Sequence, residues 1–150
     1  MLSNFEIGWM AGFFDGDGNV AIGRALGDPR AKAPYYSLMV TINNTKKEVL
    51  EYLWGIFGGS LKPVKKRPRI YVWVIQGEKA GEFLNLIYPH SKLKRKEIEI
   101  ANKFLSLPRQ PGSKRVPLEL TQLREQCLQE IKALHYPGRG RPQVRPFILQ

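Results

Sequence analysis

The chain has 150 residues, 43% of them hydrophobic, with 24 Lys and Arg against 13 Asp and Glu, a formal charge of +11. That length sustains one domain with a real core, and the basic excess favours a polyanionic partner, most simply nucleic acid. Cys127 is the only cysteine, which excludes an intrachain disulfide and a cysteine-based zinc site. The start has no charged segment followed by an apolar one, and no apolar run approaches ~18 residues. The expectation is a soluble intracellular protein with no membrane partner. Composition alone does not exclude a general basic RNA-binding protein.

Ser3-Asn4-Phe5-Glu6 reads as a capping box, with Ser3 as N-cap and Glu6 reaching back. It predicts a helix from about Asn4 to about Asp15, after which Gly16 and Gly18 give the backbone freedom to leave. Gly8, Ala11, Gly12 and Asp15 share one nearly bare face, suited to close approach of another helix. Phe5, Trp9 and Phe13 form a bulky stripe expected to face the protein's own core. Asp15 and Asp17 sit at the negative end of the helix dipole, where carboxylates repel the unsatisfied carbonyls. A divalent cation would relieve that repulsion, because Mg²⁺ and Ca²⁺ take hard oxygen ligands. An isolated Asp-Gly-Asp-Gly would be read as a plain helix stop; the whole nonapeptide over 10–18 and the alternating segments after it point elsewhere.

The period then changes to two. Val20 and Ile22 oppose Asn19, Ala21 and Gly23, with Arg24 ending the strand; residues 27–34 form a basic, proline-bounded loop, and Arg24 with the loop's Arg30 and Lys32 is expected to contact DNA. From Tyr35 to Asn43, Tyr36, Leu38, Val40 and Ile42 oppose Tyr35, Ser37, Met39, Thr41 and Asn43. The hairpin's outer face is therefore small and polar, able to hydrogen-bond base edges. Thr45 is expected to cap a helix from Lys46 to Phe57 whose core stripe is Val49, Leu50, Leu53, Trp54 and Phe57. A second hairpin, 60–64 and 69–76, turns at Lys65-Lys66-Arg67-Pro68. There Ile70, Val72 and Val74 are expected inside, with Arg69, Tyr71 and Trp73 outside as nucleic-acid contacts; Ile75 falls on their side. Lys62, Lys65, Lys66 and Arg67 are expected on phosphates, which position a complex without reading sequence. Helices come next over about 79–87, 93–105 and 118–134, the last with Leu120, Leu123, Cys127, Ile131 and Leu134 on one side. Three regions are expected: a core over 1–107, a linker and C-terminal helix over 108–134, and a basic Pro/Gly/Arg-rich tail over 135–150.

Residues 10–18 resemble the LAGLIDADG motif, with Met10 for its first Leu and Phe13-Phe14 in its apolar pair. The order helix, hairpin, helix, hairpin, helix resembles the αββαββα domain of the LAGLIDADG homing endonucleases through about residue 105. The resemblance implies an α+β fold in which both hairpins form one saddle-shaped antiparallel sheet over the major groove, with extra C-terminal helices here. One motif copy implies a homodimer, motif helices packed across a twofold axis through Gly8, Ala11, Gly12 and Asp15. It implies site-specific cleavage of double-stranded DNA at a long, nearly palindromic site, leaving 3′ overhangs. By the same resemblance Asp17 and the Gly16 carbonyl bind Mg²⁺, with Mn²⁺ able to substitute and Ca²⁺ binding without cleavage, while Asp15 is structural. Asn44 falls where the family places a water-organising polar residue, usually Gln, and Lys94 where it places a lysine. The arginine that often accompanies them has no match, since Lys47 or Glu48 falls there. Intron or intein context is typical of the family. The alternative is a noncatalytic nucleic-acid binder on the same fold, an intron maturase or a DNA-binding regulator.

Overall fold

The structure, a computed structural model, describes residues 1–25, 34–109 and 116–135. Arg30, Lys32, residues 110–115 and the tail from 136 lie outside the described residues. The capping box forms as the sequence predicts: Glu6 N–H donates to Ser3 Oγ at 3.2 Å, and Ser3 N–H donates to Glu6 Oε2 at 2.7 Å. Helix α1 runs over Asn4–Asp17, two residues past the expected stop. Gly18 leaves it in extended backbone, φ −84° and ψ 161°, so left-handed freedom is not what glycine supplies there. Space is the reason. A Cβ on Gly18 would stand 2.1 Å from Phe14 Cδ2 and 2.6 Å from Phe14 O.

Strands β1 (Gly18–Ala25) and β2 (Tyr35–Asn44) follow, then α2 (Lys47–Phe57), β3 (Ser60–Val64), β4 (Arg67–Gln76), α3 (Gly77–Ile87), α4 (Arg95–Ser106) and α5 (Leu118–His135). The four strands form one antiparallel sheet in the order β1-β2-β4-β3. The helices pack against one face of it. Val20, Ile22, Tyr36, Leu38, Val40 and Ile42 point into the core, as their alternation predicts.

The two faces of β4 are the reverse of the sequence expectation. Trp73 and Ile75 are buried, Tyr71 packs on the core, and Val72 and Val74 lie on the other side of the sheet. Both faces of this strand are apolar, so period two does not choose between them. Burial of the largest ring does: Trp73 removes the most apolar area from water, and its Nε1–H finds Gly58 O at 2.8 Å. Phe83 binds the cluster, meeting Phe14, Phe57 and Trp73 edge-on with ring centroids 5.5, 5.0 and 5.3 Å apart. Gly58 and Gly59 make this possible, with φ +72° and +89°; a Cβ on Gly59 would also meet Val74 O at 2.3 Å.

Two more local expectations give way. Thr45 does not cap α2: Lys46 holds the N-cap position without a side-chain bond, and Asn44 Oδ1 accepts its N–H at 2.8 Å. Trp54 is 48% exposed and so leaves the α2 core stripe, which is anchored by Leu50 and Leu53. Helix α5 buries Leu120, Thr121, Cys127, Leu128 and Ile131, whereas Leu123 faces solvent. It is tied to α4 by a Lys103–Glu130 ion pair at 3.1 Å.

Candidate functional site

The two acids of the motif separate completely. Asp15 is 8% exposed and turns inward. Its Oδ1 accepts the Ser91 hydroxyl at 2.5 Å, and its Oδ2 accepts the N–H of Lys92 at 2.6 Å and of Leu93 at 3.2 Å. These donors sit in the turn just before α4, whose N-cap Lys94 makes no capping bond of its own. Asp15 thus clamps the turn that leads into α4 from another helix, near the positive end of the α4 dipole, which favours a carboxylate. Burial pushes its carboxyl up, but the N–H groups of Lys92, Leu93 and Lys94 and the Ser91 hydroxyl outweigh it and hold the pKa below the usual value. The turn that Asp15 clamps carries Lys92 and Lys94.

Asp17 is exposed at the end of α1, where chain and sheet meet. Asn44, at the end of β2, donates Nδ2–H to Asp17 Oδ2 at 3.1 Å. The same side chain accepts the Lys46 N–H, so its amide is fixed from both ends. Asp17 and Asn44, 27 positions apart, are brought together. Lys94 is half-buried at the start of α4 with no ion pair among the described residues.

The sheet face away from the helices is open. Its register sets side chains in rows: Ala21, Met39, Gln76; then Asn19, Thr41, Val74, Ser60; then Asn43, Val72, Lys62. Gly23 pairs with Ser37, and Tyr35 is 67% exposed at the strand's start. Asn19, Ala21, Gly23, Tyr35, Ser37 and Thr41 therefore share one surface, as the alternation predicts. Met39, Asn43, Val72, Val74 and Gln76 join it. The first two were legible as outward-facing; the β4 residues were hidden by the face ambiguity. Lys65, Lys66 and Arg67 sit exposed at the β3–β4 turn with Arg69 close by.

Three expected contacts leave this surface. Trp73 is core. Tyr71 lies on the same inner side, with Lys47 Nζ 5.5 Å from its ring centroid. Arg24 shares the side of Val20 and Ile22, and its Nη1–H donates to Glu125 Oε1 at 2.8 Å. Glu125 also accepts the Tyr36 hydroxyl at 2.5 Å and Gln129 Nε2–H at 2.8 Å. Burial opposes the Glu125 charge, yet these donors and Arg24 hold its carboxyl below the usual range. The cluster fastens α5 to the first hairpin.

Helix α1 divides differently from its sequence pattern. Ala11 and Asp15 belong to the buried side, with Met10 and Phe14. Gly8, Gly12 and Gly16 form an open ridge, where a Cβ would meet nothing within 4 Å. Phe5 (84% exposed) and Trp9 (40%) flank it rather than entering the core, because Met10, Ala11 and Phe14 already fill the space over the sheet. Phe13 stacks on Trp9 with centroids 5.4 Å apart, and Trp9 meets the Tyr52 edge at 5.8 Å.

Among the described residues no three His, Cys, Asp or Glu side chains converge on a metal position. Asp17 nonetheless fits a divalent cation: it is an exposed hard-oxygen donor with one amide partner, and no cation pairs with it among the described residues. Backbone oxygens, water or a phosphate would complete its ligand set.

No protein-family model matches the sequence, and no curated protein does. Solved structures match the fold. The homing endonuclease I-CvuI, solved with a DNA target in the presence of Mg, aligns at TM-score 0.64 over 85% of this chain and 95% of its own, with 17% identity. The homing endonuclease I-TnaI aligns at 0.63 over 85% of each chain, with 20% identity. The LAGLIDADG homing endonuclease I-LtrWI, bound to target DNA, aligns at 0.65 over 93% of this chain but 47% of its own, with 16% identity. This chain therefore has the α+β homing-endonuclease fold, spanning I-CvuI nearly end to end and about half of I-LtrWI. Among the described residues no helix is long and apolar enough to cross a membrane.

Proposed function

We propose that the protein is a homodimeric, divalent-metal-dependent endonuclease that cuts double-stranded DNA at a long, nearly palindromic site. The observation that carries this reading is Asp17. Its carboxylate stands exposed at the end of α1, held by Asn44 at 3.1 Å, beside an open sheet face whose described residues bear no acid. A pure binder gains nothing from a carboxylate held toward phosphates. An Mg²⁺ ion would neutralise that repulsion and supply activation of water and stabilisation of the leaving oxygen, the usual metal contribution to phosphodiester hydrolysis.

The chain's own groups then divide the work. Asp17, with the Gly16 carbonyl, holds the metal. Asn44 orients the Asp17 carboxylate and presents its amide to water. Lys94, carried on the turn that Asp15 clamps, offers a positive charge to the phosphate. Lys62, Lys65, Lys66, Arg67 and Arg69 neutralise phosphates along the flank, a salt-dependent, sequence-independent grip. A second copy is required because one chain offers one Asp17 for two strands. The ridge of Gly8, Gly12 and Gly16 admits close approach of an identical helix, and Phe5 and Trp9 beside it are the apolar surface such a contact would cover. Strand β2, ten residues long, spans about 33 Å, or about ten base pairs, so a dimer covers on the order of twenty.

Incubation with a randomised duplex library in Mg²⁺, followed by sequencing of cut ends, tests the reading. Twofold-symmetric sites cut on both strands, with no product in EDTA, are expected. Tight, selective binding without cuts in Mg²⁺ or Mn²⁺ would instead mark a noncatalytic binder.

A further inference from the structure

The open sheet face has a composition that electrostatics does not explain. Its centre holds Met39, Val72 and Val74, all half-buried and all on the side opposite Trp73 and Ile75. They stand apart from the core cluster, so folding alone does not account for apolar residues there. Each lies in a register row with one side-chain amide: Met39 with Gln76, Val74 with Asn19, and Val72 with Asn43. The Gln76 Nε2–H points at Met39 Sδ across 3.8 Å, which fixes both on this face. Among the described residues these rows contain no guanidinium and no carboxylate, and Lys62 stands only at the edge.

We infer that this face reads A·T base pairs, with Met39, Val72 and Val74 against thymine methyl groups and Gln76, Asn19 and Asn43 on adenine edges. The inference rests on the proposed DNA-binding function and names its sequence class. In the major groove the thymine C5-methyl is the apolar group that base edges present, and a side-chain amide pairs bidentately with adenine N6 and N7. Guanine is most often read by Arg or Lys; the first two rows hold neither, and in the third the only one is Lys62, on the edge strand β3. An apolar residue and an amide in the same row therefore match the two halves of one A·T pair. A protein partner would also cover apolar residues, but the flanking Lys62, Lys65, Lys66 and Arg67 and the charge of +11 favour a polyanion. Successive rows are two residues apart, about 6.8 Å, so three rows span about 14 Å, on the order of four to five base pairs. Each half-site then carries an A·T block of about that length.

The test starts with selection of bound duplexes from a randomised library. A run of about five A·T pairs in each half-site is expected. Deoxyuridine is then substituted for thymidine across that block, which removes the methyls and keeps every base-pairing group. Each lost methyl contact should weaken binding about four-fold, from the burial of one methyl-sized group, so three together give on the order of fifty-fold. Val74→Ser, which removes both side-chain methyls at a position outside the core, should lose thymine preference at one step and bind a duplex with uracil at that step alone as well as the all-thymine form. Selected sites without A·T bias, or full affinity for the uracil duplex, would overturn the methyl reading while leaving DNA binding intact. No selective enrichment of any duplex would overturn the DNA-binding function and the methyl reading with it.

Discussion

Replacing Asp15 with Asn keeps the side chain's size and removes its charge. The carboxylate accepts Ser91 Oγ at 2.5 Å, Lys92 N at 2.6 Å and Leu93 N at 3.2 Å, all donors, at a side chain 8% exposed. An Asn keeps one acceptor oxygen and turns an NH₂ toward at least one of these donors. One or two charge-assisted bonds are lost at about 1.5–3 kcal/mol each, so about 3 kcal/mol of stability should go. For a chain of this size that lowers the melting temperature by on the order of 10 °C. The pH dependence carries the same signature. The folded pKa lies below the ordinary 3.8, so the stabilisation is present above that value and is lost as pH falls through the folded pKa. Urea denaturation of both proteins at fixed concentration, at pH 7 and near pH 3, measures it. The gap between them should be largest at pH 7 and shrink at pH 3. An Asn variant as stable as the parent at pH 7, or a gap that does not change with pH, would refute the inward carboxylate as the clamp of the turn before α4.

Trp73→Ala should cost about 3–5 kcal/mol in urea denaturation, as for a large ring removed from a core; a change under about 0.5 kcal/mol would return Trp73 to the surface. Gly12→Leu places its side chain in open space, where a Cβ meets nothing within 4 Å, so the subunit should fold normally. Sedimentation should then give a monomer where the parent gives a dimer, and a persistent dimer would exclude the glycine ridge as the contact.

The order of elements was readable because each signal was unambiguous where it mattered. The Ser3–Glu6 box starts α1, the inner face of the first hairpin alternates cleanly, and Gly58-Gly59 ends α2 at positive φ. The β4 faces were not readable, since apolar residues occupy both sides and only the Phe83–Trp73 packing decides between them. Asp15 and Asp17 look alike in sequence, and their divergence depends on Ser91, 76 positions from Asp15. Arg24 looked like a DNA contact because its partner, Glu125, is separated from it by 101 positions. Local pattern reports period and caps; it does not report which distant group neutralises a charge. The Asp17–Asn44 contact lay within reach of sequence only through the family resemblance, as no spacing rule brings those two positions together.

The most direct measurement compares the parent with Asp17→Asn on a selected target duplex in Mg²⁺, scoring cleavage and binding in parallel. The parent should cut both strands and leave 3′ overhangs, and Asp17→Asn should bind at least as tightly with no double-strand product. A parent that binds without cutting, or an Asp17→Asn variant that cuts at the parent's rate, would contradict Asp17 as the metal-binding group of an endonuclease.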